Sequence, residues 1–197
     1  MSHQTEDLWE FVGRWLPRPP ARLLDVGCGD GISTRRLRTI GFDAIGLDPE
    51  APSEPGFRRS KLEQFEAASR FDAAVAIRSL HHLDDVDTAL DRLAGALRRR
   101  SRLVVFEFAV DAVDDAARDW LAGQGLPPPI EERWVHEVIP LTTLRKALAK
   151  RFRELIFEPA AYHAREAGRP DLEPLEEAAI AAGRLRPAGA RIAYEKW

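Results

Sequence analysis

A single cysteine, Cys28, stands among 197 residues, so no internal disulfide can form. That usage suits a reducing compartment. No apolar run approaches the roughly 20 residues that cross a bilayer, and the polar opening MSHQTED lacks the basic-then-apolar order of a secretory signal. A cytoplasmic protein with no membrane partner is expected. CxxC pairs and spaced histidine clusters are absent, which removes the common zinc designs, and no metal is expected. An excess of one charge sign is missing too: the formal net charge of -3 supplies no broad field to gather nucleic acid or an anionic lipid surface. There is no internal repeat and no low-complexity tract, which excludes a solenoid. These absences favour a small-molecule partner.

With 45% apolar and 31% charged residues the composition is that of an ordinary globular protein, and the length suits one domain. Apolar, β-rich runs alternate with helical patterns. ARLLDVG reads as a buried strand, ISTRRLRTIG as a helix closed by Gly41, and DAIGLDP as a second strand ending at Pro49. FDAAVAIRSL is a further strand, DVDTALDRLAGALRRR a helix with Val86, Leu90, Leu93 and Leu97 on one face, and SRLVVFEF the next strand. This alternation implies right-handed βαβ units, hence a doubly wound, mostly parallel α/β sheet with helices on both faces. Beyond Phe108 the pattern loosens. GQGLPPPIEERW reads as an irregular loop and TTLRKALAKRF as a helix. RELIFEPA and ARIAYEK read as two late strands around an acidic helical segment, DLEPLEEAAIAAG, and suit an antiparallel C-terminal pair at one sheet edge. Near the start, Trp9, Phe11, Trp15 and Leu16 can form one helical stripe, expected to lie over the sheet or across the site.

The stretch LLDVGCGDG places Gly27, Gly29 and Gly31 directly after the first strand. In an open parallel sheet the ligand lies outside the carboxyl ends of the strands, where strand order reverses, and this turn is at that edge. Glycine accepts positive φ and lets a ligand approach the backbone. The second strand delivers Asp48 to the same edge, where a carboxylate can accept both hydroxyl hydrogens of a ribose. A dinucleotide fingerprint does not fit, since Ile32 occupies the third glycine position of G-x-G-x-x-G and Gly31 falls one residue early. No G-K-[ST] follows, so the loop is not a Walker loop either.

Taken together, LLDVGCGDG, AIGLDPE, FDAAVAIRSLHHLDD and RLVVFEF resemble the class I S-adenosylmethionine-dependent methyltransferases of small molecules, over roughly residues 20 to 110 and in the expected order. The resemblance implies a Rossmann-like, seven-stranded sheet in a single domain: an N-terminal helix in 1–18, a cofactor-binding core in 20–110, and an acceptor-shaping segment with the final strands in 111–197. It implies S-adenosylmethionine as cofactor and S-adenosylhomocysteine as product. Gly27, Cys28 and Gly29, with Gly31 closing the turn, would pass beside the methionine part, and Asp25 would brace the loop and help hold the amino group. Asp48, followed by Pro49, would hold the ribose. Ser60, Lys61, Leu62 and Glu63 would frame the adenine, with Ile77 and Arg78 closing the other side. Ser60 stands where many relatives have an acid, and Arg-Arg-Ser replaces the familiar Pro-Gly-Gly before the fifth strand.

Methyl transfer from a sulfonium asks the protein mainly to align the acceptor and exclude water, with a base needed only if the acceptor must lose a proton. His81 and His82 follow the fourth strand and Glu107 ends the fifth; neighbouring residues rarely point the same way, so one histidine is expected to face the pocket. His136 lies on the loop expected to arch over this edge. These four are the candidate catalytic residues. Cys28 reads as a small packing residue of the loop rather than a nucleophile. Arg98, Arg99, Arg100 and Arg102 read as a solvated helix end opposite the cofactor, and IRSL stands where amino-methylating nucleic-acid enzymes usually carry Asn-Pro-Pro, so no nucleic-acid partner is expected. The leading reading is methyl transfer to an O, N or C atom of a small metabolite. The alternatives are a non-catalytic cofactor-binding protein or subunit and a protein or RNA methyltransferase. The stretch from Asp111 to Pro140, which should shape the acceptor site, matches no motif.

Overall fold

A computed structural model describes residues 3–127 and 138–197, the first five of these by backbone alone. Helix α1 (His3–Trp15) leads into β1 (Arg22–Val26), α2 (Ile32–Thr39), β2 (Asp43–Asp48), the short β3 (Phe57–Arg59) and β4 (Phe71–Ile77). There follow α3 (Val86–Ala96), β5 (Leu97–Phe108), α4 (Asp115–Gly123), α5 (Leu141–Ala149), β6 (Phe152–Ala160), α6 (His163–Glu166), α7 (Glu173–Ala181) and β7 (Gly189–Lys196). The strands form one seven-stranded sheet in the order β3-β2-β1-β4-β5-β7-β6. β1 to β5 pair in parallel, whereas β7 runs antiparallel to both β5 and β6. This is the doubly wound, Rossmann-like arrangement with an antiparallel C-terminal pair. Its chain moves outward from β1 through β2 to β3 and returns to β4 on the other side, so a crevice opens beyond the carboxyl ends of β1 and β4.

Both faces of the sheet are covered, and side chains alternate between two cores. Leu24, Ala74, Ala76, Leu103 and Val105 face α3 and α5 through Leu90, Leu93, Leu144 and Leu148. Leu23, Ala73, Val75 and Val104 face α1 and α2 through Phe11, Val12, Leu16 and Leu37. Burial on both faces is why β1 and β4 read as nearly unbroken apolar runs. The N-terminal stripe does lie over the sheet, with Phe11, Val12 and Leu16 buried and Trp9 and Trp15 half-buried at its margin.

α3 ends four residues earlier than its pattern predicts. Asp85 caps its start by accepting from the Thr88 amide at 3.0 Å, but the chain turns extended at Leu97 and pairs with Phe71 of β4. The Leu97 carbonyl, which would continue the helix, accepts from Lys196 Nζ at 2.7 Å and Arg70 Nη1 at 3.3 Å. Arg98, Arg99 and Arg100 therefore belong to the start of β5, not to a helix end. They still lie at the sheet end away from the crevice. Arg98 reaches Asp72 at 2.6 Å, Arg102 is paired with Glu195, and Arg100 takes φ 62 where a glycine turn was missing.

Candidate active site

The glycine turn is shaped by two different neighbours. Gly27 has φ 71 and its amide donates to the Leu47 carbonyl at 2.7 Å; a Cβ there would stand 2.1 Å from the Ser79 Cβ. Its missing side chain thus admits the protein's own turn after β4. Gly29 has φ 51 and no atom within 4 Å of a built Cβ, so its open side faces the crevice. Asp48 Oδ2 accepts from the Gly29 amide at 3.1 Å and Oδ1 from the Glu50 amide at 2.7 Å, which fixes the carboxylate while leaving each oxygen a further lone pair.

Two contiguous clefts meet at this turn. One is lined by Gly27, Gly29, Asp48, Pro49, Ser60, Lys61, Leu62, Glu63, Arg78 and His82. The second passes along Cys28, Ile77, His81, Trp9, Tyr162 and Glu166, and shares Gly27, Gly29, Arg78 and His82 with the first. In the first, Leu62 supplies an apolar wall, Ser60 Oγ donates to the Lys61 carbonyl at 3.0 Å, Glu63 Oε1 accepts from the Asp84 amide at 3.0 Å, and Lys61 is paired with Asp84.

Residues 1–151 match the methyltransferase-domain family. The chain belongs to that family. A ubiquinone biosynthesis O-methyltransferase from Bradyrhizobium sp. is 30% identical over 97 residues, 43% of this chain and 38% of that protein. An uncharacterized methyltransferase from Mycobacterium bovis is 30% identical over 130 residues, 58% of this chain and 65% of that protein. The matches thus span less than two thirds of either relative. The structure of the N-methyltransferase NodS from Bradyrhizobium japonicum, solved with S-adenosylhomocysteine, superposes with TM-score 0.61 at 14% identity, covering 98% of this chain and 87% of that one. At that identity the likeness is one of fold.

Within this methyltransferase domain most of the expected cofactor residues line the two clefts, with two exceptions. Asp25 is buried behind the loop, where Ser33 Oγ and Thr34 Oγ1 each donate to its Oδ2 at 2.6 Å; burial raises its pKa, against which the two hydroxyl bonds act. It braces the first turn of α2. Gly31 likewise stands off the clefts, packed against the Phe57 ring, and caps α2 with φ 83. Ile77 lines the second cleft rather than the one holding Ser60 to Glu63. Burial, then the nearby Asp25 and Asp48, pushes the Cys28 thiol up to about 12, which keeps it protonated and unfit as a nucleophile.

The candidate catalytic residues separate into layers. Glu107 is fully buried and off the cleft surface: Oε1 accepts from the Ser79 and Leu80 amides at 2.9 and 2.6 Å, and Oε2 from the Phe108 amide at 3.2 Å while meeting His81 Nδ1. His81 is buried with one edge on the second cleft. His82 is exposed at the junction of both clefts, its ring centroid 4.0 Å from that of His81. The two rings lie together because residues 80–82 form a 3-10 turn, so successive side chains do not alternate as they would on a strand. Partial burial, and then His81, lowers the His82 pKa from the ordinary 6.5. His136 lies outside the described residues. Tyr162, Arg165 and Glu166 escaped the sequence reading although they line the second cleft. Their turn is held from a distance by buried Glu176, which accepts from the Tyr162, His163 and Ala164 amides at 2.8, 3.0 and 2.8 Å. Among the described residues no cluster of histidine, cysteine and acidic side chains could hold a metal, and no helix is long and apolar enough to cross a membrane.

Proposed function

We propose that this chain, read as one domain over 1–197, is a cytoplasmic S-adenosylmethionine-dependent methyltransferase acting on an O, N or C atom of a small metabolite. The observation that carries this reading is the pair of clefts joined at Gly27 and Gly29, one floored by Asp48 and walled by Ser60 to Glu63, the other flanked by His82 and Tyr162. The donor set fits the cofactor. Asp48 has lone pairs for a ribose diol, the Ser60 oxygen can accept from an adenine amino group, and Leu62 offers an apolar face. When bound, the sulfonium supplies an electrophilic methyl group open to in-line displacement. The chain's own part is to hold the acceptor in line, exclude water from it and, where the acceptor carries a proton, remove it.

His82 suits proton removal, since its lowered pKa leaves the imidazole neutral near pH 7. His81 and Glu107 position it, and His136 is kept as a candidate from the covering loop. The single cysteine supports the cytoplasmic assignment. Nucleic acid is not proposed as a partner, because Arg98 and Arg102 are engaged by Asp72 and Glu195 at the far end of the sheet.

Calorimetry with S-adenosylhomocysteine tests the cofactor assignment, and a screen of small acceptors for its release tests turnover. Asp48→Ala is expected to weaken binding by about 1–3 kcal/mol through loss of charged hydrogen bonds; wild type that binds neither form of the cofactor overturns the assignment. His82→Ala should lower kcat by about 10²-fold, with a smaller effect on S-adenosylhomocysteine affinity. In wild type, kcat/KM should rise with pH through a pKa below 6.5, because only the deprotonated ring accepts a proton. A profile flat below that value would remove His82 as the base.

A further inference from the structure

Arg78 is one of two non-glycine residues with positive φ among the described residues, at φ 54, and it stands where the two clefts meet. Its conformation is imposed from all sides. The Arg78 amide donates to the Phe106 carbonyl at 2.7 Å, the next two amides are held by Glu107, and Ser79 Oγ donates to the Val26 carbonyl at 2.8 Å. Glycine would take this backbone without cost, so a side chain kept there against sterics points to a task for the guanidinium.

The guanidinium reaches across the second cleft to Glu166, Nη1 to Oε2 at 2.5 Å, with both side chains over two-fifths exposed. An ion pair so open to water is weak and exchangeable. It uses one nitrogen of a fork that can serve a carboxylate with two. Arg165, the other guanidinium on this cleft, is drawn at 2.8 Å to Glu173, which is buried. Asp30 sits at the rim with Oδ1 accepting from the Ile32 amide at 3.1 Å. Between these groups lie Trp9, Ile77 and the Tyr162 ring, itself stacked on Phe108 at 4.6 Å.

We propose that Arg78 binds a carboxylate of the methyl acceptor, that Glu166 competes with that carboxylate for the same guanidinium, and that the acceptors are small acids with a planar or apolar body. This rests on the methyltransferase reading and narrows it. The incoming carboxylate takes the fork, the Glu166 carboxylate gives up the guanidinium while keeping its hydrogen bond with the Tyr162 side chain, and the aromatic walls receive the body of the acid. Arg78 is then a specificity residue, and Glu166 sets the affinity by competition.

The test titrates S-adenosylhomocysteine first, then benzoate and indole-3-acetate beside benzamide and indole-3-acetamide, by calorimetry on the full chain. At least one acid is expected to bind about tenfold more tightly than its amide, as a charged bidentate contact requires. Glu166→Gln should tighten that acid by about threefold, the sign that competition demands. Arg78→Gly should melt no lower than wild type, since it relieves the backbone, yet bind acid and amide within about twofold of each other. Acids that bind no better than amides, or bind not at all up to about 20 mM, in both wild type and Glu166→Gln overturn the proposal. So does a Glu166→Gln variant that binds the acid more weakly. Failure of S-adenosylhomocysteine to bind counts against the cofactor reading instead. Since Arg78 shares its cleft with Gly27, Cys28 and Gly29, an acid preference seen without S-adenosylhomocysteine but lost once it is bound places the cofactor's own carboxylate on Arg78 and also overturns the proposal.

Discussion

Gly27→Ala is expected to destabilise the fold by about 2–4 kcal/mol, the sum of a left-handed backbone and an overpacked contact. The backbone at φ 71 disfavours any Cβ, and the new methyl would stand 2.1 Å from the Ser79 Cβ and 2.8 Å from its Oγ. Neither partner can step aside. Gly27 is pinned to β2 through the Leu47 carbonyl, while Ser79 is pinned to β1 through the Val26 carbonyl and to β5 through Glu107. In a chain of this size the loss corresponds to a fall in Tm of roughly 4–16 °C. Two variants separate the causes. Adding Ser79→Gly removes the clash along with the Ser79–Val26 hydrogen bond, so measured against Ser79→Gly alone the Gly27→Ala change should cost about half as much, leaving the backbone term. Gly29→Ala, whose Cβ meets nothing within 4 Å, should cost only about 1 kcal/mol in stability and show its effect in S-adenosylhomocysteine affinity. Gly27→Ala melting within about 2 °C of wild type would show that the turn is not as tightly packed as Gly27 and Ser79 require.

The same pair of glycines marks what the sequence could and could not reveal. Apolar runs at β1 and β4 are long enough to be read because they are buried on both faces, and the alternation with helices then places Gly27 to Gly31 and Asp48 at one edge. β3 is three residues long with only Phe57 buried, too short to leave a period. The sequence pattern carries α3 past its true end because arginine is a good helix former and Leu97 completes the helix's apolar face. Pairing with Phe71 of β4 and the Lys196 ammonium, the latter 99 residues away, override that local preference. Likewise, Glu107 was legible as a carboxylate in an apolar strand that needs partners, but its partners are amides of the next turn, which no side-chain pattern announces. Tyr162 and Glu166 are brought to the second cleft by contacts distant in sequence, with Glu176, Phe108 and Arg78, so nothing local ties them to His82.

Glu107 carries the other large effect. It has no exposure, and its two oxygens serve three backbone amides and His81 Nδ1, so Glu107→Ala strands three backbone donors, those of Leu80 and Phe108 buried, and a ring nitrogen at once. The expected cost is about 3–5 kcal/mol, the range for removing one partner of a buried network. Glu107→Gln should be milder, at about 1–3 kcal/mol, because its oxygen can still serve Ser79 and Leu80 while its NH2 group opposes the Phe108 amide. His81→Phe removes one contact of the four and should cost less than Glu107→Ala. Turnover should follow a different order from stability. Since Glu107 holds the turn that carries Arg78 and His82 into the clefts, even a displacement of about 1 Å should lower kcat by about 10²-fold, and Glu107→Gln should lose more in kcat than its melting temperature suggests. The pH profile supplies the readout that a merely structural role would not move. If Glu107 and His81 set the environment of His82, the acid limb of kcat/KM in Glu107→Gln should shift relative to wild type, whereas a packing defect would scale the profile down without moving it. Equal melting of Glu107→Ala and wild type would contradict the buried network itself. A scaled but unshifted profile would leave Glu107 as a strut of the fold and return the tuning of His82 to burial alone.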